Sequence, residues 1–75
     1  MNSERLVQMA NDIAAYFESE PDRVAAIAGV AMHLQRYWDP RMRNAIIAHA
    51  QTGATDLSEL ARAGVEKLAE TAMSA

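Results

Sequence analysis

The fold is decided by the stretch HLQRYWDPRMR, residues 33–43, which places a helix break between two runs of helix-forming residues. Pro40 lacks a backbone N–H and disfavours helical geometry in the preceding residue, so we expect one helix to end near Trp38 or Asp39. Asp39 is a favourable N-cap, and Pro40 then falls at the first position of the next helix, where its missing donor costs nothing. The Trp-Asp-Pro sequence therefore predicts a tight corner between two helices.

The rest of the chain also favours helix. Alanine, the strongest helix former, is frequent, and no alternating strand pattern or hairpin signal occurs in the 75 residues. We expect an all-α fold, a small bundle of three to four helices that forms a single helical domain over residues 1–75. The Ala-rich end is expected to fray from about residue 70.

Capping residues and breaks predict the helix boundaries. The first helix is expected to begin at Ser3, its N-cap, and to end near Ser19, and Ser19-Glu20-Pro21-Asp22 then opens the second helix. The third helix is expected to run from Pro40 to Gly53, and Thr55 or Asp56 is expected to cap the fourth. Gly64 is expected to permit close approach of helices.

The second helix is apolar or small on two faces. One face carries Val24, Ile27, Ala28, Ala31 and Leu34, and the nearly opposite face carries Ala26, Gly29, Val30, His33 and Tyr37. A helix that is apolar on two sides is usually buried on two sides. In so small a bundle the second face suggests a contact with another protein, or self-association of the isolated chain.

Charge and composition exclude several classes of protein. A net charge of -3 argues against a general nucleic-acid binder, and the absence of cysteine removes disulfides and thiolate metal sites. No apolar run approaches the roughly 20 residues that span a bilayer, and the first residues do not resemble a signal peptide. We expect no membrane partner and a cytoplasmic location.

No catalytic motif is present. The glycines at 29, 53 and 64 form no phosphate-binding loop, and no serine or cysteine nucleophile stands in a catalytic context. His33 and His49 match no metal-ligand spacing, so we expect neither a metal site nor a cofactor site in this chain. His49 is interpreted as a hydrogen-bonded core residue, and His33 as a surface residue or an interface donor.

The corner carries the residues most typical of protein interfaces. Trp38 has two interpretations, a core residue or an interface anchor, since Trp, Tyr and Arg are enriched at binding hot spots. Ile47 is either a harmless exposed side chain or part of a contact patch. The candidate partner-binding residues are His33, Tyr37, Trp38, Arg41, Arg43 and Ile47.

Two segments resemble a known family, the delta subunit of soluble NAD-dependent formate dehydrogenases that contain molybdenum or tungsten. They are Met9-Ala10-Asn11-Asp12-Ile13-Ala14-Ala15-Tyr16-Phe17 and the stretch over residues 33–43 with its Trp-Asp-Pro-Arg-Met centre. Tyr16 and Tyr37 stand where family members tend to carry Phe. The likeness extends from Leu6 to about His49.

The resemblance implies a non-catalytic accessory subunit of a cytoplasmic formate dehydrogenase complex. It would bind the large catalytic subunit and support assembly or stability of the complex. The molybdenum or tungsten pterin cofactor, iron–sulfur clusters, FMN and NAD would be held by the larger subunits.

Two other functions are compatible with the residues. The apolar faces of the second helix could serve a free-standing homodimer or adaptor unrelated to formate oxidation. A helix-turn-helix DNA binder is the weaker alternative, because residues 44–50 are mostly aliphatic where a recognition helix would carry polar side chains.

Overall fold

The computed structural model describes residues 2–73, which form four helices. These are α1 (Ser3–Phe17), α2 (Arg23–Tyr37), α3 (Pro40–Gln51) and α4 (Glu59–Met73). The largest interface joins α2 to α4, while α1 contacts all three other helices and α3 packs on α4 and α1. The expected all-α fold is confirmed, with helix and no strand among the described residues.

The corner between α2 and α3 has the expected capping geometry. Trp38 is the C-cap of α2, and its backbone N–H donates to the carbonyl oxygen of Leu34. Asp39 is the N-cap of α3, with its carboxylate accepting from the backbone N–H of Met42 at 3.0 Å, and Pro40 is the first residue of the helix. The C-cap of α2 and the N-cap of α3 are therefore consecutive residues.

Three helix starts differ from the sequence prediction. The N-cap of α1 is Asn2 and not Ser3, and the N-cap of α2 is Asp22, which leaves Pro21 outside the helix. The fourth helix begins at Glu59, where the hydroxyl of Ser58 accepts from the backbone N–H of Ala61. Thr55 and Asp56 belong instead to the connection before α4, because other parts of the chain bind the side chain and carbonyl of Asp56.

Two helix ends also differ slightly. The first helix ends at Phe17, two residues before the expected Ser19. The third ends at Gln51, and Gly53 follows with a φ of 81°, a conformation that glycine adopts without strain. The fourth helix continues through Met73, and residues 74 and 75, within the stretch expected to fray, lie outside the described part of the chain.

The core lies between α2 and α4 and is closed by α1 and α3. Its largest fully buried side chains are Val30, Leu34, Ile46, Leu60, Val65 and Leu68. The expected close approach at Gly64 is confirmed, since the side chain of Val30 packs directly on that glycine. Small residues at this crossing let α2 and α4 lie close together.

The assignment of faces on α2 was partly wrong. Ala26 and Val30 belong to the second face of α2, which was expected to be spare for a contact outside the bundle and is called the spare face. Both are buried against the rest of the bundle, whereas Val24 of the first face is 76% exposed. The reason is the contact with Gly64, which turns the side of α2 that carries Val30 inward. The part of the spare face that remains accessible is the end that carries His33 and Tyr37.

Candidate protein-binding surface

A groove of about 440 Å³ opens between α1 and α2. Ile13, Tyr16 and Phe17 line it from α1, and His33 and Tyr37 line it from α2. We call these five residues the aromatic groove. Within each helix the later lining residues lie three or four positions after the first one, and residues at that spacing project from the same side of a helix.

Two tyrosines stand at the accessible side of the aromatic groove. Tyr16 is 78% exposed and Tyr37 is 67% exposed, which makes them two of the four large apolar residues that are mostly in solvent among the described residues. Tyrosine combines a large apolar ring with a hydroxyl that can hydrogen-bond, and it is enriched at protein interfaces. The groove can therefore take an apolar side chain while its rim offers polar contacts.

Ring contacts hold the aromatic side chains in place. The rings of Tyr16 and Phe17 meet edge to face, with centroids 5.1 Å apart, and those of His33 and Tyr37 lie 4.7 Å apart at 48°. Each pair joins residues of the same helix. The groove is thus partly ordered before any partner binds.

Gly29 provides the space that Phe17 occupies. A Cβ atom built on Gly29 would lie 2.5 Å from Cε1 of Phe17 and 2.8 Å from its Cδ1, so the ring packs directly on the backbone of α2. Phe17 is partly buried and packs against the hydrophobic core. Tyr16, the residue before Phe17, was not among the partner-binding residues predicted from the sequence. An aromatic side chain on an outer face of α1 was the signal that could have identified it.

The six candidate residues are divided among four environments. His33 and Tyr37 line the aromatic groove. Trp38 is 5% exposed and belongs to the core, so its indole can influence a docking surface only by fixing the corner. Arg43 and Ile47 line a separate depression with Pro40 and other residues of α2, α3 and α4, and Arg41 is exposed in the first turn of α3.

Arg43 has an internal role. Its guanidinium donates to the carbonyl oxygens of Gln35, at 3.1 Å, and of Trp38. These carbonyls lie at the C-terminal end of α2, where helices leave acceptors unpaired, and a cation there is favourable. Ile47 likewise packs against the core cluster while remaining partly exposed. The two residues join α3 to its neighbours whether or not they also contact a partner.

Arg36 and Arg41 differ from Arg43. Arg36 lies in the last turn of α2 and Arg41 in the first turn of α3, and both are exposed. Neither forms a hydrogen bond or a salt bridge to another side chain or carbonyl within residues 2–73. Two free guanidinium groups therefore flank Tyr37 along the chain.

His49 and Asp56 form a hydrogen-bonded pair. His49 Nε2 lies 2.8 Å from Asp56 Oδ1, and the two side chains are 23% and 50% exposed. This hydrogen bond holds the pKa of Asp56 below its ordinary value near 3.8, assisted by the charges of His49 and Arg62. The pair fastens the end of α3 to the connection before α4.

The histidines do not come together. His33 lies in the aromatic groove and His49 pairs with Asp56. Among residues 2–73 no three His, Asp or Glu side chains are grouped as a metal site, and none of the described helices is long and apolar enough to cross a membrane.

Four short helices with an exposed aromatic groove define a small all-α protein with a candidate binding surface. The sequence model of FdsD, the delta subunit of NADH-dependent formate dehydrogenase, matches residues 5–65. The chain therefore belongs to the FdsD family, as the resemblance in its first two helices and corner predicted. Comparisons with curated proteins and with solved structures gave no match.

The family match associates the chain with a formate dehydrogenase complex. The matched region includes all but the first two residues of α1, the whole of α2 and α3 and the first half of α4, and it contains the whole aromatic groove. The candidate surface thus lies within the residues that match the family.

Proposed function

We propose that this chain is a non-catalytic accessory subunit that binds the large catalytic subunit of a cytoplasmic formate dehydrogenase and supports assembly or stability of the complex. The observation that carries the proposal is the family match over residues 5–65. It is supported by Tyr16 and Tyr37, which the four-helix core leaves in solvent at a groove that suits protein contacts.

The side chains of this chain do not fit the cofactors of formate dehydrogenase. Iron–sulfur clusters are held by cysteine thiolates, and the sequence contains no cysteine. A pterin-bound molybdenum or tungsten and a flavin need a binding site far larger than the shallow grooves of a 75-residue helical bundle. We therefore place the pterin-bound metal, the clusters, FMN and NAD in the larger subunits.

Co-expression with the large catalytic subunit tests the proposal. The subunit carries an affinity tag, and the untagged chain is expected to co-purify with it in a fixed ratio. Omitting the chain is expected to reduce the yield of assembled, metal-loaded complex. The proposal would be contradicted if the yield of complex is unchanged when the chain is omitted, or if the chain does not co-purify with the tagged subunit.

A second measurement tests the non-catalytic role. The purified chain alone is expected to form no NADH from formate and NAD, and the complex assembled without it is expected to retain turnover per bound metal. If the metal-loaded complex without the chain is inactive, the chain contributes directly to the reaction and the accessory role is wrong.

A further inference from the structure

Charges around the aromatic groove are distributed unevenly. The acidic side chains at the connection between α1 and α2 have internal partners: Glu18 pairs with Arg23 at 3.5 Å, and Glu20 accepts from the backbone N–H of Asp22. At the other end of α2 the carboxylate of Asp39 accepts from the backbone N–H of Met42. These three carboxylates are therefore engaged within the chain, whereas that of Asp12, one turn before Tyr16 on α1, is exposed and makes no hydrogen bond among residues 2–73.

Two of the arginines near the corner, Arg36 and Arg41, have no such partners among residues 2–73. Arg23, Arg43 and Arg62 each bind a carboxylate or a carbonyl of the chain, whereas Arg36 and Arg41 bind none among residues 2–73. Two exposed guanidinium groups without an internal partner thus lie within four residues of Tyr37 along the chain, although the chain as a whole has a net charge of -3. Local charge of this kind attracts a partner surface of opposite sign.

We propose that the aromatic groove binds an acidic segment of the large catalytic subunit, an inference that rests on the proposed function. An aromatic or aliphatic side chain of that segment enters between Tyr16 and Tyr37, and neighbouring carboxylates bind Arg36 and Arg41. The groove supplies the apolar contact, and the two guanidinium groups set the direction of the segment, because Arg binds carboxylates with two parallel hydrogen bonds.

A second copy of this chain fits the groove less well. In a twofold dimer the same patch is used on both subunits. An interface centred on Tyr37 would bring Arg36 and Arg41 of one copy towards those of the other, and like charges at an interface are unfavourable. The charge pattern therefore favours a different, acidic partner.

The test measures the affinity of the purified chain for the isolated large catalytic subunit at low and high salt. Tyr37→Ala is expected to weaken binding about tenfold or more, because a truncated aromatic hot spot costs at least that factor. The double variant Arg36→Glu, Arg41→Glu is expected to weaken binding by a similar factor at low salt and to abolish the salt dependence seen with the parent chain.

Matched variants elsewhere on the surface serve as controls. Val24→Ala removes an exposed apolar side chain from the same helix, and Lys67→Glu reverses an exposed charge on α4. Both are expected to bind as the parent does. Circular dichroism of every variant checks that the helices are intact.

The outcomes separate the inference from the function on which it rests. If the parent chain does not bind the catalytic subunit, both are wrong. If the parent binds and the groove variants bind equally well, the accessory role stands and the groove is not the docking site. If sedimentation shows a dimer of the isolated chain that Tyr37→Ala disrupts, while binding to the catalytic subunit is unchanged, the groove serves a second copy and the inference is wrong.

Discussion

Val30 of α2 packs directly on the backbone of Gly64 in α4, and a Cβ atom at Gly64 would lie 2.6 Å from the Cβ of Val30. Both residues are buried at the centre of the largest helix interface. Since neither helix backbone can move away without opening the core, this contact fixes the distance between α2 and α4.

Gly64→Ala is therefore expected to destabilise the fold by about 1 to 3 kcal/mol, because overpacking outweighs the better helix propensity of alanine. Urea unfolding followed by circular dichroism measures the change. The double variant Gly64→Ala, Val30→Ala removes the clash, so its stability should exceed that expected from adding the two single effects. Additive effects would show that the contact does not limit the approach of the helices.

Trp38 and Tyr37 are neighbours in sequence with opposite environments. Trp38→Ala is expected to cost roughly 3 to 5 kcal/mol, since it empties a large site in the core, whereas Tyr37→Ala should change stability by less than about 0.5 kcal/mol. Thermal unfolding of both variants measures the difference. Equal losses would mean that the tyrosine ring supports the bundle and is not free for a partner.

Arg43→Ala is expected to destabilise the isolated chain by about 1 kcal/mol, because the carbonyls of Gln35 and Trp38 lose their donor. Arg41→Ala is the matched control, with the same residue type two positions away and no internal partner among residues 2–73, and it should leave the unfolding midpoint unchanged. A loss of stability in the Arg41 variant alone would reverse these assignments.

Acid is expected to weaken the link between α3 and the connection before α4. The pKa of Asp56 is lowered in the folded chain by its hydrogen bond with His49. This bond therefore stabilises the fold at pH values above the ordinary pKa near 3.8, and the stabilisation is lost as the pH falls through the lowered pKa. Asp56→Asn should therefore be less stable than the parent near neutral pH and approach it under strongly acidic conditions.

Unfolding midpoints of the two chains over that pH range measure the effect. Asp12→Asn is the control, because the carboxylate of Asp12 is exposed and makes no hydrogen bond with other residues between positions 2 and 73. If the stability difference between the parent and Asp56→Asn stays constant on acidification, the hydrogen bond between Asp56 and His49 does not contribute to the pH dependence of stability.

Local sequence predicted the corner well and the helix starts less well. Asp39 and Pro40 act through neighbouring backbone groups, so their geometry can be read without knowing the rest of the fold. The start of α4 could not be predicted in this way, because Asp56, a favourable N-cap residue, instead bonds with His49 in the preceding helix and with Asn11, which is distant in sequence.

The candidate surface shows the same distinction. Tyr37 was identified from the residue types at the corner, but the exposed Tyr16 became part of the site only when α1 packed beside α2. The internal role of Arg43 was equally hidden, since its acceptors are carbonyls at the end of another helix. Composition and spacing identify which residues suit an interface, while packing determines which of them remain available.

Asn11 joins the beginning of the chain to its last connection. Its amide nitrogen donates to the carbonyl oxygen of Asp56 at 3.0 Å, and its amide oxygen accepts from the backbone N–H of Ser58 at 2.8 Å. These bonds link residues more than forty positions apart, so the segment that precedes α4 reaches its final shape only after α1 has docked. Folding should consequently be cooperative across the whole bundle, and a nascent chain cannot complete it until α4 has left the ribosome.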